Sequence, residues 1–302
     1  MSSPNTGHKN LISGMFISMF LWGLSWPSGK VLSGFCSPVN FTAYRYLLVV
    51  LSMLFMLPAV KMNYTISRKG FWPVLLSGSL LCLYSYFMVM GLKNGSAGSG
   101  GVLVTTLNPI VSYTINILLK RKLPARMEQA GILLGIVAGL ILLKVWDNSA
   151  LLKGGNVYFL LAAITWAIMS KFTAMGGKYG SSISFSLWQY LVTLLCLVPF
   201  INYTEMAVAV HISNYLFWMN LVFGSVIVTA GATTVYFYTT TRLGAEKASS
   251  FIFLVPFAAA ISSWFLLGEH IHWHTLLGGI MGISAVYLIN STALKNRKKS
   301  AA

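Results

Sequence analysis

Charge is what this sequence has least of. Of 302 residues only 9% are Asp, Glu, Lys or Arg, against about a quarter in an ordinary soluble chain. A compact soluble fold of this length would lack the charged surface that keeps it dissolved, so that class is excluded. Acid is scarcer still, with five residues in all: Glu128, Asp147, Glu205, Glu246 and Glu269. They are scattered along the chain and offer no convergent acid, base or metal set. That argues against a membrane enzyme, for instance a transferase working on lipid-linked substrates. The three cysteines, Cys36, Cys82 and Cys196, have no paired spacing, so they give neither a disulfide framework nor a metal motif. The apolar run after Lys9 is followed by no small-residue cleavage site and reads as an uncleaved first span. The glycine cluster from Gly95 to Gly101 lacks the Lys-Ser/Thr ending of a phosphate loop. No cofactor is expected.

What fills the space is apolar: 56% of the residues are hydrophobic or aromatic, and the mean hydropathy is +0.74. A hydrocarbon core about 30 Å thick needs roughly 20 helical residues to cross it. Ten runs meet that requirement: Leu11–Ser33, Val39–Val60, Gly70–Leu92, Ser96–Leu119, Glu128–Trp146, Gly155–Met175, Ile183–Tyr203, Asn214–Thr241, Ala248–Leu267 and Trp273–Ala293. Their length favours helices over the short alternating strands of a barrel. The expected fold is an all-α membrane protein of ten transmembrane helices.

The formal charge of +16 forms no single basic patch, so nucleic acid is not an expected partner. Lys and Arg instead punctuate the spans. With the N-terminus inside, the outer loops hold only Lys93, Lys144 and Lys153. Lys30, Arg45 and Lys171 fall within spans, and all the rest lie in inner segments. This bias places both termini in the cytoplasm.

The two halves of the chain are alike. Phe41-Thr42-Ala43-Tyr44-Arg45-Tyr46-Leu47-Leu48 aligns with Phe185-Ser186-Leu187-Trp188-Gln189-Tyr190-Leu191-Val192 at an offset of 144, which also sets Trp22 on Trp166. At an offset of 147, Gly131 and Gly135 match Gly278 and Gly282, Pro109 matches Pro256, and Lys122 stands where the second half has Glu269. Between these blocks the first half carries about one extra helical turn before Pro109. Five spans per half is an odd number, so residues 151–302 must enter the membrane from the side opposite to residues 1–150. Two inverted five-helix repeats around a central site are the plan of many transporters.

With these residues in view the chain resembles the drug/metabolite transporter superfamily, EamA type. The resemblance rests on Leu21-Trp22-Gly23 with Lys30, Phe41-Thr42-Ala43 with Arg45, and Trp166-Ala167 with Lys171. Pro256, Leu266-Leu267-Gly268-Glu269 and Leu276-Leu277-Gly278 complete it. It departs from the family at Lys122, where the first repeat often carries an acid. The resemblance implies ten spans and the export or exchange of small metabolites, often amino acids, at the inner membrane of a bacterium.

Arg45 is the sharpest candidate site residue. A charge inside a span is costly and usually faces a polar cavity. No Asp or Glu lies inside a span (Glu128 only begins one), so its partners are hydroxyls, carbonyls, water or a substrate anion. Arg45 and Lys30 therefore either attract a substrate carboxylate or extend to the interface with their charged ends in water; Lys171 is placed similarly in span six. The counterpart of Arg45 is neutral Gln189. Trp22, Trp166, Tyr84, Tyr190 and Tyr236 either line a pocket or pack. Asn108 before Pro109 either serves the pocket or sits at a kink. The glycine stripes at 131, 135 and 139 and at 278 and 282 suit close helix contact, between halves or between protomers. His270, His272 and His274 either present imidazoles to a metal or form a plain outer loop. Without an intramembrane carboxylate, efflux of lipophilic cations is disfavoured. Direction is open, and uptake of a vitamin, nucleotide-like or other anionic metabolite is the alternative.

Overall fold

The computed structural model describes residues 4–59, 64–120, 125–147, 155–173, 175–210, 214–236, 239, 251–252 and 254–300. Among them there is no strand. The helices are α1 (Pro4–Ser33), α2 (Pro38–Ala59), α3 (Phe71–Asn94), α4 (Ala97–Lys120), α5 (Arg126–Leu142), α6 (Asn156–Thr173), α7 (Ser182–Leu197), a short α8 (Tyr203–Val210), α9 (Tyr215–Val222), α10 (Leu254–Leu267) and α11 (Trp273–Ser300). Between α9 and Thr233 the chain continues as a π-helix over Phe223–Ala232.

Local chemistry sets the boundaries. Pro38 opens α2, where its missing N–H costs nothing. Ser181 caps α7 by accepting from the Ser184 N–H at 2.9 Å, and Asn214 caps α9 by accepting from Leu216 at 2.9 Å. Gly95 separates α3 from α4 in extended conformation. Gly155 precedes α6 with φ +81°, and a Cβ there would fall 2.4 Å from the Gly91 carbonyl oxygen. The run expected as span seven, Ile183–Tyr203, stops earlier. Pro199 sits in a 3-10 turn, Val198–Phe200, and the chain restarts as α8. The expected span eight holds the π-helix, which no hydrophobic period announces.

Among the described residues, five stretches are long and apolar enough to cross a membrane: Pro38–Met56, Arg68–Asn94, Asn156–Lys178, Ser182–Phe200 and Tyr215–Tyr236. Helix α5, with 17 residues, and α10, with 14, are shorter than the expected runs. The sides of the helices nonetheless present large apolar groups outward. Phe55 is 81% exposed and Phe265 77%, an arrangement stable only where the surrounding medium is itself apolar. Trp72, Trp146, Trp273, Tyr203 and Tyr215 are exposed near helix ends, as residues of an interfacial belt are.

The strongest packing crosses the middle of the chain. Helix α5 lies along α11, α3 along α6 and α7, α1 along α10 and the π-helix, α4 along α10 and α6, and α2 along α7 and the π-helix. Among the described residues, both buried clusters draw on the two halves together. Small residues allow this close approach. A Cβ on Gly23 would meet the Cβ of Ala258 at 2.3 Å, and one on Gly278 would meet Leu142 Cγ at 2.6 Å. Gly135 and Gly139 instead abut Ile110 and Leu107 of α4, while Gly282 abuts Thr106. The glycine stripes thus work inside the chain, at contacts among α4, α5 and α11.

Gly23→Val is expected to cost ~1–3 kcal/mol by overpacking against backbone that has no room to move. Gly177→Ala, whose Cβ would meet only Ser182 Oγ at 3.8 Å, should be close to neutral. Thermal unfolding of both variants in detergent measures the contrast, and equal midpoints would refute it.

Candidate functional site

Arg45 lies in the eighth position of α2, half-buried against the π-helix. Its Nε and Nη2 both donate to Thr229 Oγ1, at 3.3 and 3.0 Å. The Thr229 hydroxyl in turn donates to the Gly224 carbonyl five residues back, at 2.8 Å. Thr233 does the same to Val228 at 3.3 Å and accepts from Trp22 Nε1 at 3.3 Å. The wider turn of a π-helix lets each threonine bond its own backbone while its oxygen faces a neighbouring helix. Such segments are frequent at functional sites. Of the partner types open to Arg45, hydroxyls, carbonyls, water or a substrate anion, the structure shows a hydroxyl.

A narrow cleft opens beside this pair, lined by Ser25, Ser28, Phe41, Arg45, Gly224 and Ser225. Its volume is about 10 Å³, room for a single water. A metabolite therefore needs the helices to separate. The donor and acceptor pattern in the cleft is specific. Ser25 donates to the Trp22 carbonyl at 2.6 Å and Ser28 to the Asn220 carbonyl at 3.2 Å, so the proton of each hydroxyl is committed and its oxygen can act as an acceptor. Ser225 is fully buried, and its Oγ has no partner. A buried hydroxyl left unpaired costs ~1–3 kcal/mol, a cost that a bound polar group would remove.

The aromatic candidates fall into two groups. Trp22 packs on Tyr236 with ring centroids 5.0 Å apart. Trp166 packs on Tyr84 at 4.6 Å, beside Tyr46, which stacks on Tyr190 at 5.6 Å and shares a hydrogen bond of 2.9 Å with Ser85. Arg45 and Tyr46 are adjacent on α2, so this one stretch of helix borders both the hydroxyl cleft and the second aromatic group. Gln189 belongs with the latter. It is buried, accepts from Thr173 Oγ1 at 3.0 Å and points its amide at Met169 Sδ, 3.2 Å away.

The remaining candidates lie elsewhere. Lys30 donates to the carbonyls of Leu92 and Gly95, the latter at 2.8 Å. It thereby satisfies the C-terminal end of α3, where a cation is favoured, and its ammonium is held by the protein itself. Asn108 accepts from Ser112 at 3.2 Å within α4. Lys171 stands half-buried in the last turn of α6. Among the described residues no cluster of three metal-ligating side chains forms; His272 and His274 stack at 5.3 Å. Glu246 lies outside the described residues. Sequence reasoning passed over Ser25, Ser28, Ser225, Thr229 and Thr233. The last three recur every fourth residue within an apolar run, a hydroxyl stripe that could have marked them.

The comparisons agree with a transport setting. The profile of the EamA-like transporter family matches residues 10–144 and 153–291. The chain is 23% identical to an uncharacterized transporter of Bacillus subtilis, YoaV, over 94% of this chain and 98% of that protein. It is 29% identical to a WAT1-related chloroplast protein of Arabidopsis thaliana over 68% of this chain and 51% of that one. A crystal structure at 16% identity superposes with a TM-score of 0.60, covering 94% of this chain and 98% of the other, a likeness of fold.

Thr229→Val would leave the Arg45 guanidinium without its hydroxyl and is expected to cost ~1.5–3 kcal/mol. Thr229→Ser should restore most of that. Melting temperatures of the two variants decide it, and a valine variant as stable as the parent would sink the account.

Proposed function

The chain belongs to the EamA-like transporter family, and on that premise we propose that it is a secondary transporter. In this reading it exports or exchanges small metabolites, amino acids or related compounds, across a bacterial inner membrane by alternating access, with both termini in the cytoplasm. The observation that carries the substrate side is the pairing of Arg45 with a buried, unpartnered Ser225 hydroxyl in one cleft. Arg45 keeps N–H groups beyond those given to Thr229, and these with Ser225 suit a carboxylate. The acceptor oxygens of Ser25 and Ser28, whose protons are given to backbone carbonyls, suit an ammonium beside it. Carboxylate and ammonium together are the polar end of an amino acid. Trp22 and Tyr236, or Tyr84 and Trp166, would receive its apolar part.

The helix pairings support the inverted-repeat plan. Advancing each helix by half the chain takes α1 to α6, α2 to α7, α3 to the α9 and π-helix segment, α4 to α10 and α5 to α11. The pairing of α3 with α6 then becomes that of the π-helix with α1, and α1 with α10 becomes α6 with α4; both members of each pair occur. Such a packing suits two halves that rock about a central site. An enzymatic reading gains nothing from the acids, since Glu205 and Glu269 are engaged with backbone N–H groups.

A second reading is uptake of a vitamin, nucleotide-like or other anionic metabolite. It is favoured by one observation: among the described residues the bonds of Arg45 go to a neutral hydroxyl, which leaves its charge available to an anion.

In proteoliposomes, Arg45→Ala is expected to weaken apparent affinity for the substrate roughly 10- to 100-fold, as loss of a charge-assisted bond does. An amino acid should compete for flux better than its deaminated acid. The reverse order would transfer the assignment to the anion reading, and full activity of the alanine variant would remove Arg45 from the site.

A further inference from the structure

Two of the five acids in the whole chain join its halves at one end of the bundle. Glu269, in the connection from α10 to α11, accepts from the N–H groups of Ala97 and Gly98 at 2.8 Å each and from the Ser96 hydroxyl at 2.7 Å. It thereby closes the N-terminus of α4. Glu205, on α8, accepts from the Ser37 N–H and from Asn40 Nδ2 at 3.0 Å, at the N-terminus of α2. Asn40 extends this contact by donating to the Asn202 carbonyl at 2.9 Å and accepting from the Asn202 N–H at 3.1 Å, and the Tyr44 hydroxyl donates to the Met206 carbonyl. Both carboxylates come from the second half and both capped helices from the first. Lys30, near the end of α1, bonds Leu92 and Gly95 at the end of α3, so the two contacts lie at the same end.

We infer that Glu205 and Glu269 form a two-point carboxylate latch that closes this end of the transporter and must release before substrate passes there. The inference rests on the transport reading and on no particular substrate. Unpaired N–H groups and the positive end of the helix dipole make a helix N-terminus a strong seat for a carboxylate. The latch is one-sided. At the repeat offset of 144 the counterpart of Glu205 is Lys61, and at 147 that of Glu269 is Lys122. An ammonium has no acceptor and is disfavoured at a helix N-terminus. These positions supply no second carboxylate, and among the described residues the opposite end is joined by bonds of another kind, Trp188 Nε1 donating to the Tyr64 carbonyl at 2.7 Å and the Ser67 N–H to the Tyr179 carbonyl at 2.6 Å. The distribution of Lys and Arg assigns the carboxylate end to the outside.

The chain carries its own reporter. Cys36 lies between α1 and α2 at this end and is 4% exposed. Burial, with the charge of Glu205 beside it, pushes its thiol up to about 11. Glu205 acts on Cys36 directly, so the decisive variant is Glu269→Gln, which touches the other contact. In a Cys82→Ser, Cys196→Ser background, a membrane-impermeant maleimide applied to right-side-out vesicles should label Cys36 slowly. Glu269→Gln should speed labelling roughly tenfold, the population shift expected for loss of one charge-assisted contact. Ser96→Ala, which removes one bond to the same carboxylate, should speed it less. Elution profile and melting temperature in detergent check that each variant folds. A folded Glu269→Gln that labels at the parent rate overturns the latch. Should that variant fail to fold, an unchanged rate in Ser96→Ala overturns it instead. Labelling needs no substrate, so either result leaves the amino-acid reading standing or falling on its own flux measurements.

Discussion

In an apolar medium, an ionised side chain or an unpaired backbone N–H is costly until it finds a partner. This chain has few charges, and the helix ends supply the partners for several of them. Glu205 and Glu269 take the exposed N–H groups of α2 and α4, and Lys30 takes the terminal carbonyls of α3. Each of these satisfies a group that the helix itself leaves open. Arg45 is the exception, with a single neutral oxygen for two of its N–H groups. The sparing use of charge makes that exception stand out as a candidate site.

The halves are interleaved more than juxtaposed. Because α1 runs along α10 and α5 along α11, one half cannot unfold without exposing the other. Contacts such as Gly23 on Ala258 and Gly101 on Ala259 bring backbones close without interlocking long side chains. Smooth surfaces of this kind allow tilting of one element against another at low cost, whereas interdigitated cores resist it. The polar fastenings at one end and the tight cleft near Arg45 both hold first-half helices against second-half ones.

The π-helix links packing to chemistry. Over Phe223–Ala232 it departs from the ordinary α repeat, and Thr229 and Thr233 bond carbonyls five residues back. That geometry orients one hydroxyl toward Arg45 and the other toward Trp22, and it sets Ser225 in the wall of the cleft. The local irregularity is thus placed where α1, α2 and the second half meet.

Much of the architecture was legible in the residues. Twenty-residue apolar runs require helices in lipid, and scarce acid inside them left hydroxyls, carbonyls, water or a substrate anion as partners for Arg45; Thr229 supplies a hydroxyl. The repeat register singled out Trp22 and Trp166, and each meets a tyrosine that was also a candidate. Lys30 was legible as a buried charge but its role was not, because its carbonyl partners lie 62 and 65 residues away and no period connects them. Ser225 and the capping by Glu205 and Glu269 were hidden for the same reason. Composition and spacing fix which segments leave water and which groups then need partners. The choice of partner is made between segments distant in sequence, so only the packed helices decide it.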